Sequence, residues 1–442
     1  MYNLRGGFLV RPLAITLVLG FAGAVLSELE EVFPGFSEWV PKALFPSHAD
    51  PQVAQVILGG IAASTMTVVS IVFAILLMTL TLASMQFSPR ILTGFVRDPL
   101  TQWTLGVFLG TFSYCMAALP AARSFPYPFS PVATVLGAMI LVFVCVCLLL
   151  FFIHHISQAI SVNHIVDRIA SETEAIIDDL MPSPQRYPRL GGVYPIDPTV
   201  WTPALINEMS GYIRYVDRAR LVELTKTYHV QVHAFRRVGQ FVPAGAPLLL
   251  ASKPERVSEG GAKQFLAAFD IGPTRTLQQD VEFGVLQIVD IALRAISPAV
   301  NDPTSAISCI DQLSRILIRF AAREPAEQLL FDPPGVVRVS MQWISFERLL
   351  NSAFDQIRLY AKGDVAVSLR LLRALGDVAS TTINPDYRKS LAEMTTRVLG
   401  GCAERLTEQE LHELRVRARE VESLAGVRLQ EVHSGFGSTR ET

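Results

Sequence analysis

The densest group of side chains able to do chemistry lies in DIALRAISPAVNDPTSAISCIDQL, Asp290–Leu313. It gathers Asp290, Arg294, Ser297, Asn301, Asp302 and Thr304 in one short segment. Carboxylates beside an arginine are what an enzyme uses to hold and protonate a phosphate or acyl substrate. The same residue types also finish helices: Ser297, Asp302 and Thr304 suit caps, and Asp290 with Arg294 suits an i,i+4 pair. No nucleophile–base arrangement, P-loop or HExxH motif accompanies them. The chain is therefore read as non-enzymatic, and this polar cluster as a subunit contact or a loop that senses a small-molecule or ion ligand.

A second chemical signal is a line of hydroxyls where apolar residues are expected. Between Pro51 and Pro89 no residue is charged, yet Ser64, Thr65, Thr67, Ser70, Thr79, Thr81, Ser84 and Ser88 recur. At about 100° per residue, Thr67, Ser70, Thr81, Ser84 and Ser88 share one sector with Gly59 and Ala63. Ala74 and Leu77 fill the middle of that sector. Polar ends around an apolar middle suit a pore with a dewetting constriction, so Thr67, Ser70, Ala74, Leu77, Thr81, Ser84 and Ser88 are the pore-lining candidates. The competing reading is a packing surface, where small residues admit a neighbouring helix and hydroxyls bond backbone.

Histidines and cysteines offer less. His154 and His155 are adjacent and so point to different faces of a helix. His229-Val-Gln-Val-His233 alternates as a strand and puts both histidines on one face, with no further ligand in view. The five cysteines show neither disulfide nor metal spacing. No metal and no cofactor are expected.

These residues must be placed by membrane helices and by a soluble region. The chain is 50% hydrophobic and only 18% charged, and most of the charge follows about His154. Four spans are expected, over residues 12–27, 53–85, 99–119 and 131–153, within a transmembrane domain of residues 1–156. Arg5, Arg11, Arg90 and Arg97 flank the sides read as cytoplasmic, which puts both termini inside a bacterial inner membrane. No charged residue falls within these four ranges, which argues against ion-coupled transport. The first segment also has the look of a signal peptide at Ala22-Gly23-Ala24; it is read as a retained span. Gly106-Val-Phe-Leu-Gly110 is a GxxxG face for close helix packing.

Helix starts are legible at Asp50-Pro51, Asp98-Pro99 and Asp302-Pro303. Pro89–Val96 reads as a short interfacial elbow. The stretch from Pro131 to Leu180 has one internal glycine, Gly137, near its start and no further break. It predicts a rod of about 70 Å running out of the membrane.

Residues 157–200 are a helical extension and linker. Residues 201–270 form a small β-rich domain, residues 271–430 a helical cytoplasmic domain, and residues 431–442 a disordered tail. In Arg237–Leu250, RVGQFVPAGAPLLL, the spacing G-x-x-V-x-x-G-x-x-L resembles the late strands of biotinyl/lipoyl-like barrel-sandwich units, without their Met-Lys attachment turn. The net charge of −2 excludes a general nucleic-acid binder.

ASMQFSPRIL (Ala83–Leu92), the four-span layout and DIALRAISPAVNDPTSA (Asp290–Ala306) together resemble a widespread family of bacterial predicted membrane proteins, the domain of unknown function 2254. The resemblance implies a membrane location and this topology, and carries no activity or site residue with it. The expected fold class is an α-helical membrane domain of four transmembrane helices followed by a cytoplasmic α+β domain. That domain would hold a small barrel-sandwich-like β unit and a helical C-terminal region. The expected partners are the lipid bilayer and further copies of the chain. The expected function is a homo-oligomeric, channel-like permeation protein for ions or small solutes. A membrane-anchored scaffold or envelope-biogenesis factor is the alternative, and an enzyme using the Asp290–Thr304 cluster a third reading.

Overall fold

Each of the four apolar runs forms a helix long and apolar enough to cross a membrane. The computed structural model describes residues 9–33, 50–86, 99–124, 128–159, 161–181, 201–323, 328–332 and 336–426. The expected elbow at Pro89–Val96, Asp98, the linker beyond Met181 and the tail at 431–442 lie outside these residues. The chain divides into two compact units, Met1–His164 and Ile165–Thr442.

In the first unit the helices are α1 (Val10–Val32), α2 (Pro51–Gln86), α3 (Pro99–Ala118) and α4 (Val132–Ala159). Asp50 starts α2 as expected, its Oδ1 accepting from the Gln52 amide at 2.9 Å. Glycines set the packing of α3 on α1. A Cβ on Gly106 would stand 2.8 Å from Ile15 Cδ1 and 3.1 Å from Pro12 Cα, and one on Gly110 would strike Leu19. In the other direction, a Cβ on Gly23 would stand 2.5 Å from the Tyr114 carbonyl oxygen. The GxxxG face is thus a close-packing face, and α1 is what it packs against. Behind it, Ala54, Leu58 and Ala62 of α2 meet Tyr114, Cys115 and Ala118 of α3 and Val135 and Ala138 of α4 in one core.

The expected rod from Pro131 to Leu180 is two helices. Helix α4 ends at Ala159, and α5 (Val162–Leu180) begins after a break where the Ser161 amide bonds the Gln158 carbonyl, three residues back. The two stretches answer to different surroundings. Helix α4 is apolar on every side from Val135 to Ile153, as lipid requires. Helix α5 gathers Ile165, Val166, Ile169, Ala170, Thr173, Ile177 and Leu180 on one face and buries them within the second unit.

The second unit follows with β1 (Thr202–Ile206), β2 (Gly211–Val216), α6 (Arg218–Thr227), β3 (Val232–Ala234), β4 (Phe241–Val242), β5 (Pro247–Ala251), α7 (Glu259–Leu266) and β6 (Phe269–Gly272). A helical hairpin of α8 (Val281–Ala295) and α9 (Pro303–Ala321) precedes β7 (Gln328–Asp332) and β8 (Val336–Met341). Four helices close the described chain: α10 (Phe346–Tyr360), α11 (Val365–Thr381), α12 (Pro385–Cys402) and α13 (Glu408–Ala425).

Strand order corrects two expectations. The strands form a five-stranded sheet, β1-β5-β3-β8-β7, and a three-stranded one, β4-β2-β6, and no barrel closes. The region beyond residue 271 is also not wholly helical, because β7 and β8 join the larger sheet. There β8 lies parallel to β3, pairing Val232 with Val339 and Ala234 with Met341. The turn glycines behave as the spacing implied: Gly239 and Gly245 have φ of 86° and 83°, a region open to glycine at little cost. The core beneath the sheets includes Ile213, Leu221, Leu248, Phe265 and Val339.

Candidate functional site

Helix α2 has two contrasting faces. Ala54, Leu58, Ala62, Thr65, Val69, Val72 and Thr79 are buried, spaced three or four apart except at the last step. Thr67, Ser70, Ala74, Leu77 and Thr81 are all exposed on the other side, with Leu77 50% exposed. The structure therefore puts these five candidates on one open face and takes Thr65 and Thr79 away from it. Ser84 belongs to α2, but its side chain is not among those described, and Ser88 lies outside the described residues. A Cβ on Gly59 or Gly60 would meet nothing within 4 Å.

The described hydroxyls of this face are engaged in the same way. Ser64 donates to the Gly60 carbonyl at 2.8 Å, Thr67 to Ala63 at 2.9 Å, Ser70 to Met66 at 3.1 Å and Thr81 to Leu77 at 2.8 Å. A hydroxyl has one hydrogen and two lone pairs. With each hydrogen committed to the helix, the face offers outward only hydrogen-bond acceptors.

Among the described residues of the first unit one carboxylate is buried, and the sequence reading placed none there. Helix α1 runs on past Ser27 to Val32, and Glu30 is 1% exposed. Its carboxylate accepts from the amides of Ala133 at 2.7 Å and Thr134 at 3.0 Å, and from Thr134 Oγ1 at 2.9 Å. These amides belong to the unsatisfied first turn of α4, so Glu30 caps a neighbouring helix. Beside it, Arg123 pairs with Glu31, and the Tyr114 hydroxyl donates to the Thr134 carbonyl at 3.0 Å. The signal was the acidic run Glu28, Glu30 and Glu31, which the expected span boundary at residue 27 left outside.

In the second unit the Asp290–Thr304 cluster resolves into a helix–turn–helix cap. Ser297 Oγ donates to the Arg294 carbonyl at 2.7 Å, and the Ser297 carbonyl accepts from the amides of Val300 and Asn301. Asn301 has φ of 51°, the left-handed region that asparagine tolerates. Asp302 caps α9, accepting from the Ser305 amide at 3.1 Å and from Ser305 Oγ at 2.5 Å. These bonds hold its carboxyl below the usual carboxylate range. Asp290 is half-buried on α8, while Arg294, Asn301 and Thr304 are exposed. The turn brings Ser297, Asn301 and Asp302 together, and their polar atoms serve helix ends.

The more buried polar cluster was not anticipated. Glu282, 5% exposed, sits in the first turn of α8 at the centre of three arginines. Its Oε2 accepts from Arg237 at 3.0 Å and Arg275 at 3.1 Å, and its Oε1 from Arg348 at 2.9 Å. Arg275 also clasps Asp280 at 2.7 and 2.8 Å, and Asp280 caps α8 through the Phe283 amide. Burial alone would raise the Glu282 pKa; the arginines outweigh it and hold the group at about 2. The cluster ties the turn around Gly239 to α8 and α10. Only Asp280, ahead of a periodic apolar run, gave a local sign of it.

The histidines do not assemble. His229 lies in the turn after α6 with φ of 50°, so it does not share a strand face with His233. His233 is buried, with Nδ1 3.1 Å from Ser340 Oγ on the neighbouring β8. His154 is exposed and meets Gln158. Among the described residues no three His, Cys, Asp or Glu side chains group as a metal site.

A family described as "Predicted membrane protein (DUF2254)" matches residues 5–377, which include all four apolar helices and the α8–α9 turn. The chain belongs to this family. It is also similar to the uncharacterized protein Mb1321c of Mycobacterium bovis and the uncharacterized protein Rv1290c of Mycobacterium tuberculosis. Each is 32% identical over 392 residues, which is 87% of this chain and 74% of the relative. No solved structure matches it. DUF2254 membership supports a membrane protein of unknown function, and every finer reading rests on the residues themselves.

Proposed function

We propose that the chain assembles with further copies in a bacterial inner membrane. In this reading the open face of α2 lines a shared path for ions or small solutes, and the second unit lies in the cytoplasm, where it regulates that path. The observation that carries it is the open face itself: Thr67, Ser70, Ala74, Leu77 and Thr81 stay exposed while the opposite face packs on α3 and α4. No charge interrupts α2. Outward lone pairs on Ser64, Thr67, Ser70 and Thr81 favour solutes that are cations or hydrogen-bond donors. Leu77 and Ala74 would form the apolar constriction.

The test has two parts. Thr67→Cys or Ser70→Cys should cross-link between copies in native membranes, and Val53→Cys, on the inner side of the helix, should not. In liposomes, Leu77→Ser should raise solute flux, and Thr81→Ala should change it. Absence of both cross-links and flux overturns the reading. The alternative, a membrane-anchored scaffold, is favoured by the hydroxyl bonds: every described hydroxyl on this face is satisfied by its own helix and needs neither water nor a solute. A variant lacking the four helices that still complements a deletion would decide for the scaffold.

A further inference from the structure

We propose that the contact between α5 and α9 is an ionic-strength-sensitive clamp, through which the salt concentration sets how firmly the second unit holds the helix that follows α4. Helix α5 begins three residues after the last residue of α4, so whatever holds α5 acts close in sequence on a membrane helix. Two kinds of contact hold it. One is the apolar seam of Ile165, Val166, Ile169, Ala170, Ile177 and Leu180, with Thr173 set tightly against Gly284 of α8. The other is a ladder of opposite charges along the edge.

The ladder is regular. Asp167, Ser171, Glu174 and Asp178 recur every three or four residues on α5; Arg315 and Arg319 on α9 and Arg323, just past its C-cap Ala322, recur every four, so each set forms a stripe. Arg315 donates to Asp167 at 2.9 Å, to Glu174 at 2.5 Å and to Ser171 at 3.3 Å. Arg319 Nε donates to Asp178 at 2.8 Å, and Arg323 reaches the same carboxylate.

The two contacts respond differently to salt. Asp167 is 54% exposed at its side chain, Arg319 45% and Arg315 40%, so mobile ions reach the ladder. The screening length shrinks from about 10 Å at 0.1 M salt to about 3 Å at 1 M, and exposed pairs weaken accordingly. Burial of the apolar seam is not weakened in this way. Rising salt therefore loosens one edge of α5 while the rest of the unit stays folded. This inference is independent of any permeation through α2.

The test is amide hydrogen exchange on the full chain in lipid nanodiscs, at about 0.05 M and about 0.5 M KCl, with sucrose at matched osmolality as the control. Exchange over Val162–Leu180 should rise roughly threefold to tenfold in high KCl, with no rise in sucrose and none in the uncharged strand β5. The variant Arg315→Gln/Arg319→Gln/Arg323→Gln should exchange fast in α5 at both salts. Equal exchange of α5 at the two KCl concentrations, or an equal rise in sucrose or in β5, overturns the clamp. The wild-type titration decides this even if the triple variant does not fold.

Discussion

At the scale of single residues, reach in sequence decides what could be read. Asp302 was legible because capping is local: its acceptor serves Ser305, three residues on. Glu282 was not, because two of its partners lie 45 and 66 residues away. Its environment makes a sharp prediction. Glu282→Gln removes the buried charge that balances Arg237, Arg275 and Arg348, and breaking such a cluster costs about 3–5 kcal/mol. Chemical unfolding of the second unit should give an unfolding free energy lower by that amount, with a correspondingly lower midpoint, and an unchanged midpoint would refute the role. The pH dependence has a fixed sign. A carboxyl whose folded pKa is depressed stabilises fully above its unfolded value, here 4.5, and loses that contribution as pH falls through about 2. Wild-type stability should therefore decline across that window more steeply than that of Glu282→Gln.

Individual elements were read better than the contacts between them. The four apolar runs announced helices because a bilayer admits little else, and Asp50 fixed the start of α2. The Gly106–Gly110 face was visible, whereas α1 as its partner was not, since packing partners leave no local trace in a sequence. Glu30 was missed for a related reason: it caps α4, 103 residues further along, and no residue of its own helix. Glu30→Ala leaves the amides of Ala133 and Thr134 without an acceptor in a buried setting, at about 1–3 kcal/mol. Gly110→Leu drives a side chain into Leu19. Both should lower the thermal stability of the purified protein, and Gly59→Ala, which meets open space within one chain, should not. A loss of stability in Gly59→Ala equal to that of Gly110→Leu would instead put a packed neighbour on that face.

For the whole molecule, the expectation of a self-contained β-rich domain over residues 201–270 stood on a spacing of glycines and valines. The turns at Gly239 and Gly245 vindicate the spacing, but the sheet it builds is not closed within those residues. Strand β3 is flanked by β5 on one side and β8 on the other, and His233 meets Ser340 across 107 residues of sequence. Without β8, β3 becomes an edge with open amides and carbonyls. Its core also loses Val339 and Met341, both buried against Val232 and Ala234. Sequence alone does not reveal this, because a parallel partner can come from any distance and the run Val336–Met341 is short. The consequence is testable. A fragment of residues 201–272 should lack a cooperative unfolding transition and show poorly dispersed amide resonances, while residues 162–426 should show both cooperative unfolding and dispersion. If the short fragment folds cooperatively, β8 is an addition to a finished domain; if it does not, folding of the β unit waits for the α8–α9 hairpin that carries the chain from β6 back to β8.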